Sequence, residues 1–306
     1  MKKLVPILFL SMMLILGTAF SASAIPMKLH IGTAIGDDDG WTGVFSQLQI
    51  FANTTTTQYG DPNLGSLPQI GDTFSDVGNL SISSLIPDTA EDEGLNAFYE
   101  ITATWSALTG SIVSQTVTSY IPSGTTTPLP GYFQITTYDP GPGINFYLDS
   151  DVDHEYAPTV AAADDSGFGL DGDGSATLVG IIQVTGGTGI NLFDATTGLF
   201  VSGTSIIDGV FISMADDFWY TAAGLDMYDN YFMKFGWSVI GDIDQNTDNV
   251  VVTPVMIGST LFTVDSDHDG SIDFAVIPEP ATMLLLGSGL LGLAGIGRKK
   301  KFFKKD

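Results

Sequence analysis

Apolar and polar residues alternate along most of the chain in short runs. Phe98-Tyr99-Glu100-Ile101-Thr102-Ala103-Thr104-Trp105, the stretch from Ser111 to Tyr120 and the stretch from Gly143 to Leu148 all keep a period of two. That period sets one face of an extended segment against a core and the other toward water. Gln47–Phe51, Tyr132–Thr137, Ser175–Thr185, Ser205–Met214, Phe232–Trp237 and Gly258–Val264 predict further strands. Thr, Ser, Val, Ile, Phe and Tyr fill these runs, and Gly, Asn, Asp and Pro punctuate them roughly every ten residues, as turns do. A helix is expected only in short pieces such as Ala215–Met227. The pattern predicts an all-β chain of short antiparallel strands. A β-sandwich or jelly-roll-like ectodomain would bury the alternate apolar faces of two stacked sheets. The polar stretches Ala52–Gln58, with its four consecutive threonines, and Ile121–Pro130 predict exposed loops.

Both ends break the pattern. Lys2 and Lys3 precede an apolar run from Leu4 to Leu16, which closes on Ala22-Ser23-Ala24. Charge, apolar stretch and small-residue exit are the order of a signal peptide, residues 1–24, with Ala22 and Ala24 as the small residues a signal peptidase needs. The run is shorter than the ~20 residues of a stable span. At the other end Pro278-Glu279-Pro280 is followed by an apolar stretch from Ala281 to Gly297, then by Arg298, Lys299, Lys300, Lys301, Lys304 and Lys305. A transmembrane helix over 281–297 would rise about 25 Å, just short of the ~30 Å hydrocarbon core, and the long basic side chains of the tail, 298–306, can snorkel across the difference. Basic residues after the span hold the C-terminus in the cytoplasm and the body outside.

Charge sharpens the division between the ends and the body, residues 25–275. Lys28 and Lys234 are the only basic residues from 25 to 280, whereas all the acids except Asp306 lie there. The whole chain has a formal charge of −25, and removal of both ends would take it to about −32. Such a field disfavours nucleic acid, anionic lipid and acidic glycans as direct partners and makes divalent cations the natural counter-ions. There is no cysteine, so no disulfide staples the fold.

The acids are arranged in one suggestive motif, Asp265-Ser266-Asp267-His268-Asp269-Gly270-Ser271-Ile272-Asp273. Carboxylates at alternate positions before a glycine match the first half of a calcium loop. Asp265, Asp267 and Asp269 would converge on one Ca²⁺, Ser271 would offer its carbonyl, and Asp273 would ligate directly or through water. Val276 stands at the twelfth position in place of a bidentate Glu, which would weaken such a site toward the extracellular range. The alternative is an Asp/Gly turn without an ion. Weaker echoes stand at Asp149-Ser150-Asp151-Val152-Asp153, Asp171-Gly172-Asp173-Gly174 and Asp242-Ile243-Asp244-Gln245-Asn246-Thr247-Asp248.

Enzyme signatures in the sequence are poor. His30, His154 and His268 lie far apart without zinc spacing, there is no Gly-x-Ser-x-Gly elbow, and Gly186-Gly187-Thr188-Gly189 lacks a P-loop lysine. No catalytic residue is assigned, and no cofactor other than calcium. The aromatics Phe218-Trp219-Tyr220, Tyr228, Tyr231 and Trp237 could stack on sugars or fill a core.

Val276-Ile277-Pro278-Glu279-Pro280, the Gly-interrupted Leu-rich span and the Arg/Lys tail resemble the PEP-CTERM sorting signal of Gram-negative bacteria, covering residues 276–306. The resemblance implies that Pro278, Glu279 and Pro280 are recognised by a membrane-embedded exosortase. It also implies an inner-membrane-anchored intermediate, released to the surface or into the extracellular polysaccharide. Ser84 to Leu95, Tyr99-Glu100-Ile101-Thr102, Trp105 to Gly110, Ile144 to Asp149 and Phe218-Trp219 are loosely similar to PEP-CTERM proteins associated with flocculation. The likeness implies a role in cell aggregation or biofilm. The other expectations are a calcium-dependent carbohydrate-binding module and, more remotely, a secreted glycan-active enzyme.

Overall fold

The computed structural model describes residues 24–32, 40–60, 69–87, 94–96, 98–122, 124–141, 143–149, 176–198, 200–229, 237–245, 251–257 and 260–276. The expected signal peptide up to Ser23, the Pro-Glu-Pro tripeptide, the expected anchor helix with its basic tail, and most of the expected strand Phe232–Trp237 lie outside the described residues. No described helix is long and apolar enough to cross a membrane.

The described chain is all-β and antiparallel. Its strands are β1 (Met27–Leu29), β2 (Gln47–Tyr59), β3 (Thr73–Ile86), β4 (Glu100–Tyr120), β5 (Leu129–Tyr138), β6 (Gly143–Asp149), β7 (Thr177–Asp194), β8 (Phe200–Met214), β9 (Trp219–Thr221), β10 (Trp237–Gln245), β11 (Val251–Ile257) and β12 (Thr260–Val276). One sheet has the order β10-β8-β7-β5-β4-β3-β2-β12-β11, and β10 also pairs with β12. The sheet therefore returns to its own edge and closes into a barrel, where the sequence pattern predicted two stacked sheets. Closure removes the exposed edges that two open sheets would carry. Two gaps are each filled by a pair of strands in succession. β5 and β6 both lie between β4 and β7, and β10 and β11 both lie beside β12.

Long strands bend around a barrel at bulges, and register shifts fall at Gln49/Ile50, Asp76/Gly78, Ile112/Ser114 and Val184/Gly186. Gly78 shows why a side chain is missing at one of them. A Cβ there would stand 2.5 Å from both the Trp105 ring and the Asn53 carbonyl, so glycine lets β3 lie directly over the indole.

Two sequence expectations change in this frame. The threonine run is the middle of β2, because β-branched residues suit a pleated ladder, and Thr54 is buried. Ala215–Met227 is a turn at 216–218, the short strand β9 and a further turn, with only Met227 opening a helical turn.

The direction of the strands gives the barrel two ends. The hairpins β2–β3, β4–β5, β7–β8 and β11–β12 define the upper end. At the lower end β1 pairs with β9, and Trp219, fully buried, packs against Phe146, Phe211, Phe218 and Phe274. Its indole nitrogen donates to the Val179 carbonyl at 2.7 Å, so the one polar atom of this side chain is satisfied. Ile50, Leu80, Ile82, Phe146, Ile182, Val239 and Ile272 continue this apolar filling upward.

Candidate functional site

The alternation that buries Leu48, Ile50 and Ala52 continues up β2 to Thr54, Thr56 and Gln58, so the same inward face turns polar in its upper half. β3 does likewise with Asp76, β5 with Gln134 and Thr136, and β12 with Ser266 and His268. All of these polar residues except Ser266, together with Asn191 and Ser205, border a cavity that leaves about 70 Å³ for the centres of water molecules. Phe74, Trp105, Tyr138, Phe193 and Phe200 supply the aromatic part of its wall.

Part of this polar surface is internally bonded. Asp76 accepts hydrogen bonds from Trp105 Nε1 and Thr56 Oγ1, both at 2.8 Å. Thr54 Oγ1, Ser266 Oγ and His268 Nε2 form a triangle with sides of 2.6, 3.0 and 3.1 Å. Tyr138 donates to Ser205 Oγ at 3.2 Å. Four further atoms, Gln58 Nε2, Gln134 Nε2, Asn191 Oδ1 and His268 Nδ1, are buried with no hydrogen-bond partner among the described residues.

Burial sets the charge states. It raises the Asp76 carboxyl to about 6, against the lowering effect of its two hydrogen bonds. It lowers His268 to about 4, so this imidazole is neutral at physiological pH. Tyr138 is pushed well above the ordinary phenol range by burial, with the Asp76 charge adding to it. The cavity is thus a neutral-to-acidic polar chamber on an apolar floor, equipped to hold small polar molecules by hydrogen bonds.

The expected calcium segment lies in the lower two-thirds of β12, in extended conformation, and pairs with β2 and β10. In a strand, residues two apart are separated by about 6.7 Å, so Asp265, Asp267, Asp269, Ser271 and Asp273 occupy successive positions along a ladder rather than a loop wrapped around one point. Asp265 accepts from Thr55 Oγ1 at 2.8 Å, and Asp269 stands opposite Asp244 in the β10 register. Among the described residues no group of three or more His, Asp or Glu side chains is placed to hold a metal ion. Of the residues in that motif it is the two between the aspartates, Ser266 and His268, that enter the cavity network. The echoes at 151–153 and 171–174 lie outside the described residues, as does the end of the one at 242–248.

Trp219 and Phe218 are core, which removes Trp219 from any sugar-stacking surface. Tyr220 instead joins His30 and Trp41 at the lower end: His30 stacks on Trp41 at 4.5 Å, Tyr220 meets Trp41 edge-on, and Lys28 Nζ lies 4.0 Å from the Trp41 ring. Asp217 bonds both His30 and the Tyr220 hydroxyl.

Residues 276–300 match the PEP-CTERM protein-sorting motif, and β12 ends at Val276, where that match begins. No curated protein matches the chain. Among solved structures, similarity is found to Ail, the attachment invasion locus protein of Yersinia pestis, crystallised in complex with the heparin analogue sucrose octasulfate. It spans 74% of this chain and 97% of that one at 7% identity, with a TM-score of 0.14, too low to carry an argument.

Proposed function

Given that the chain carries a PEP-CTERM sorting motif, and is thereby an exported, surface-directed protein destined for an exosortase, we propose that its barrel serves in the extracellular polysaccharide matrix. There it acts as a structural and binding component that promotes cell aggregation. The observation that carries this proposal is the position of the motif: it starts where the last strand stops, so the barrel is cargo delivered as one unit. The scarcity of basic residues between 25 and 280 fits a partner that is not a polyanion, such as neutral glycan. Divalent cations, calcium included, enter as counter-ions of the acidic strands, where they could bridge copies of the protein or acidic glycans.

Replacing Pro278-Glu279-Pro280 by alanines tests the route. The expected result is a protein of unprocessed mass held in the membrane fraction, with loss of surface protein and weaker flocculation. Unchanged mass, location and flocculation would refute it. The polar cavity also favours a carbohydrate-binding module, now seated inside the barrel rather than on Trp219.

A further inference from the structure

We propose that the upper half of the barrel is a binding site for one neutral, hydroxyl-rich ring of the size of a single sugar residue. Four buried polar atoms without protein partners, Gln58 Nε2, Gln134 Nε2, Asn191 Oδ1 and His268 Nδ1, come from β2, β5, β7 and β12 and border one cavity. Gln58, Gln134 and His268 are each more than nine-tenths buried. A buried polar group left unsatisfied costs about 1–3 kcal/mol, so four around one space call for a guest that bonds to them all.

The chemistry of the wall selects the guest. Amide nitrogens donate, an amide oxygen accepts, and a neutral imidazole nitrogen takes either role with its tautomer, which suits hydroxyl groups that both donate and accept. Among the described residues no lysine or arginine borders the cavity, and Asp76 is its one carboxylate, already engaged by Trp105 and Thr56. A carboxylate-bearing or phosphorylated guest would meet that charge without compensation. Phe74, Trp105, Tyr138, Phe193 and Phe200 offer apolar surface to the C–H faces of a ring, the usual complement to hydroxyl bonding in such sites. An ordered water needs roughly 10–15 Å³ of room for its centre, so the space has room for several waters and matches one ring rather than a chain. The proposal rests on the matrix assignment only for the source of the sugar.

The test is isothermal titration calorimetry of the purified protein with glucose, galactose, mannose, rhamnose and N-acetylglucosamine, and with glucuronate as the charged comparator. At least one neutral sugar should bind saturably, with glucuronate about tenfold weaker or worse. Gln134→Leu and Asn191→Leu should each weaken that binding at least about tenfold while leaving the circular dichroism spectrum unchanged, whereas Asp269→Ser on β12 should bind like the parent. Hydrogen exchange on the parent protein needs no variant: sugar should slow amide exchange in β5 and β7. Absence of saturable binding by every neutral sugar, with waters alone filling the space, would overturn the proposal. So would binding that survives both leucine variants or leaves β5 and β7 exchange unaltered. The sorting experiment reads processing and location, so failure of one does not imply failure of the other.

Discussion

The two halves of the barrel interior are built from the same strands and differ in what fills them. On β2, Leu48 and Ile50 face a dry lower core, and Thr54 and Gln58 on the same face line the polar chamber above. On β12 the change runs from Phe274 and Ile272 to His268 and Ser266. Direction in or out is therefore set by the pleat, and chemistry by height along the strand. The lower half supplies the stability; the upper half spends some of it on buried polar groups, which is the usual mark of a site.

The largest test of this division is Trp219→Ala. Loss of a fully buried indole with four aromatic neighbours should cost about 3–5 kcal/mol in urea unfolding. Gln134→Leu in the upper half should change stability little or raise it, since it removes an unpartnered amide nitrogen.

Next comes Asp76→Asn. The folded Asp76 carboxyl titrates above its unfolded value of 3.8, at about 6, so it retains its proton longer when folded, and ionising it costs stability as pH rises between those values. The stability gained by the variant should be near zero below pH 4 and reach about 3 kcal/mol as an upper bound above pH 6. His268 works in the opposite sense. Its folded value of about 4 lies below 6.5, so its contribution is complete above 6.5 and lost as pH falls toward 4. Urea titrations at several pH values should therefore show a stability that rises with pH more steeply in Asp76→Asn than in the parent.

Gly78→Ala should cost about 1–3 kcal/mol by pushing the added methyl into Trp105 and the Asn53 carbonyl, with a change in tryptophan fluorescence. The smallest effect belongs to the outer face. Asp269 is exposed on β12, and Asp269→Ser should change urea-unfolding stability by no more than about 0.5 kcal/mol.

Strands were legible where apolar residues kept their period: the run at 98–105, from Glu100 onward, and the run at 111–120 are two parts of the single strand β4. β3 was not legible, because Ser75, Asp76, Gly78 and Asn79 interrupt its period with residues that usually mark turns. The Asp265–Asp273 segment misled for the same reason, since Asp and Gly belong to turns and to ion loops alike, and only pairing with β2 and β10 makes it strand. The chamber was hidden by the assumption that polar positions face water. Gln58, Asp76, Gln134, Asn191 and His268 are far apart in sequence and meet only when the sheet closes. A usable signal existed on β2, where the inward period of Leu48, Ile50 and Ala52 continues without a break into Thr54, Thr56 and Gln58. Barrel closure itself depends on the β10–β12 ladder between distant segments, which no local pattern announces.

The division of the interior is tested most directly by a high-resolution crystal structure of the protein purified from its secreted fraction. Ordered density bonded to Gln58, Gln134, Asn191 and His268, with none among Ile50, Leu80, Phe146 and Ile272, is the expected result. An upper chamber collapsed onto itself with those four groups paired to one another, or water threaded through the lower core, would contradict it.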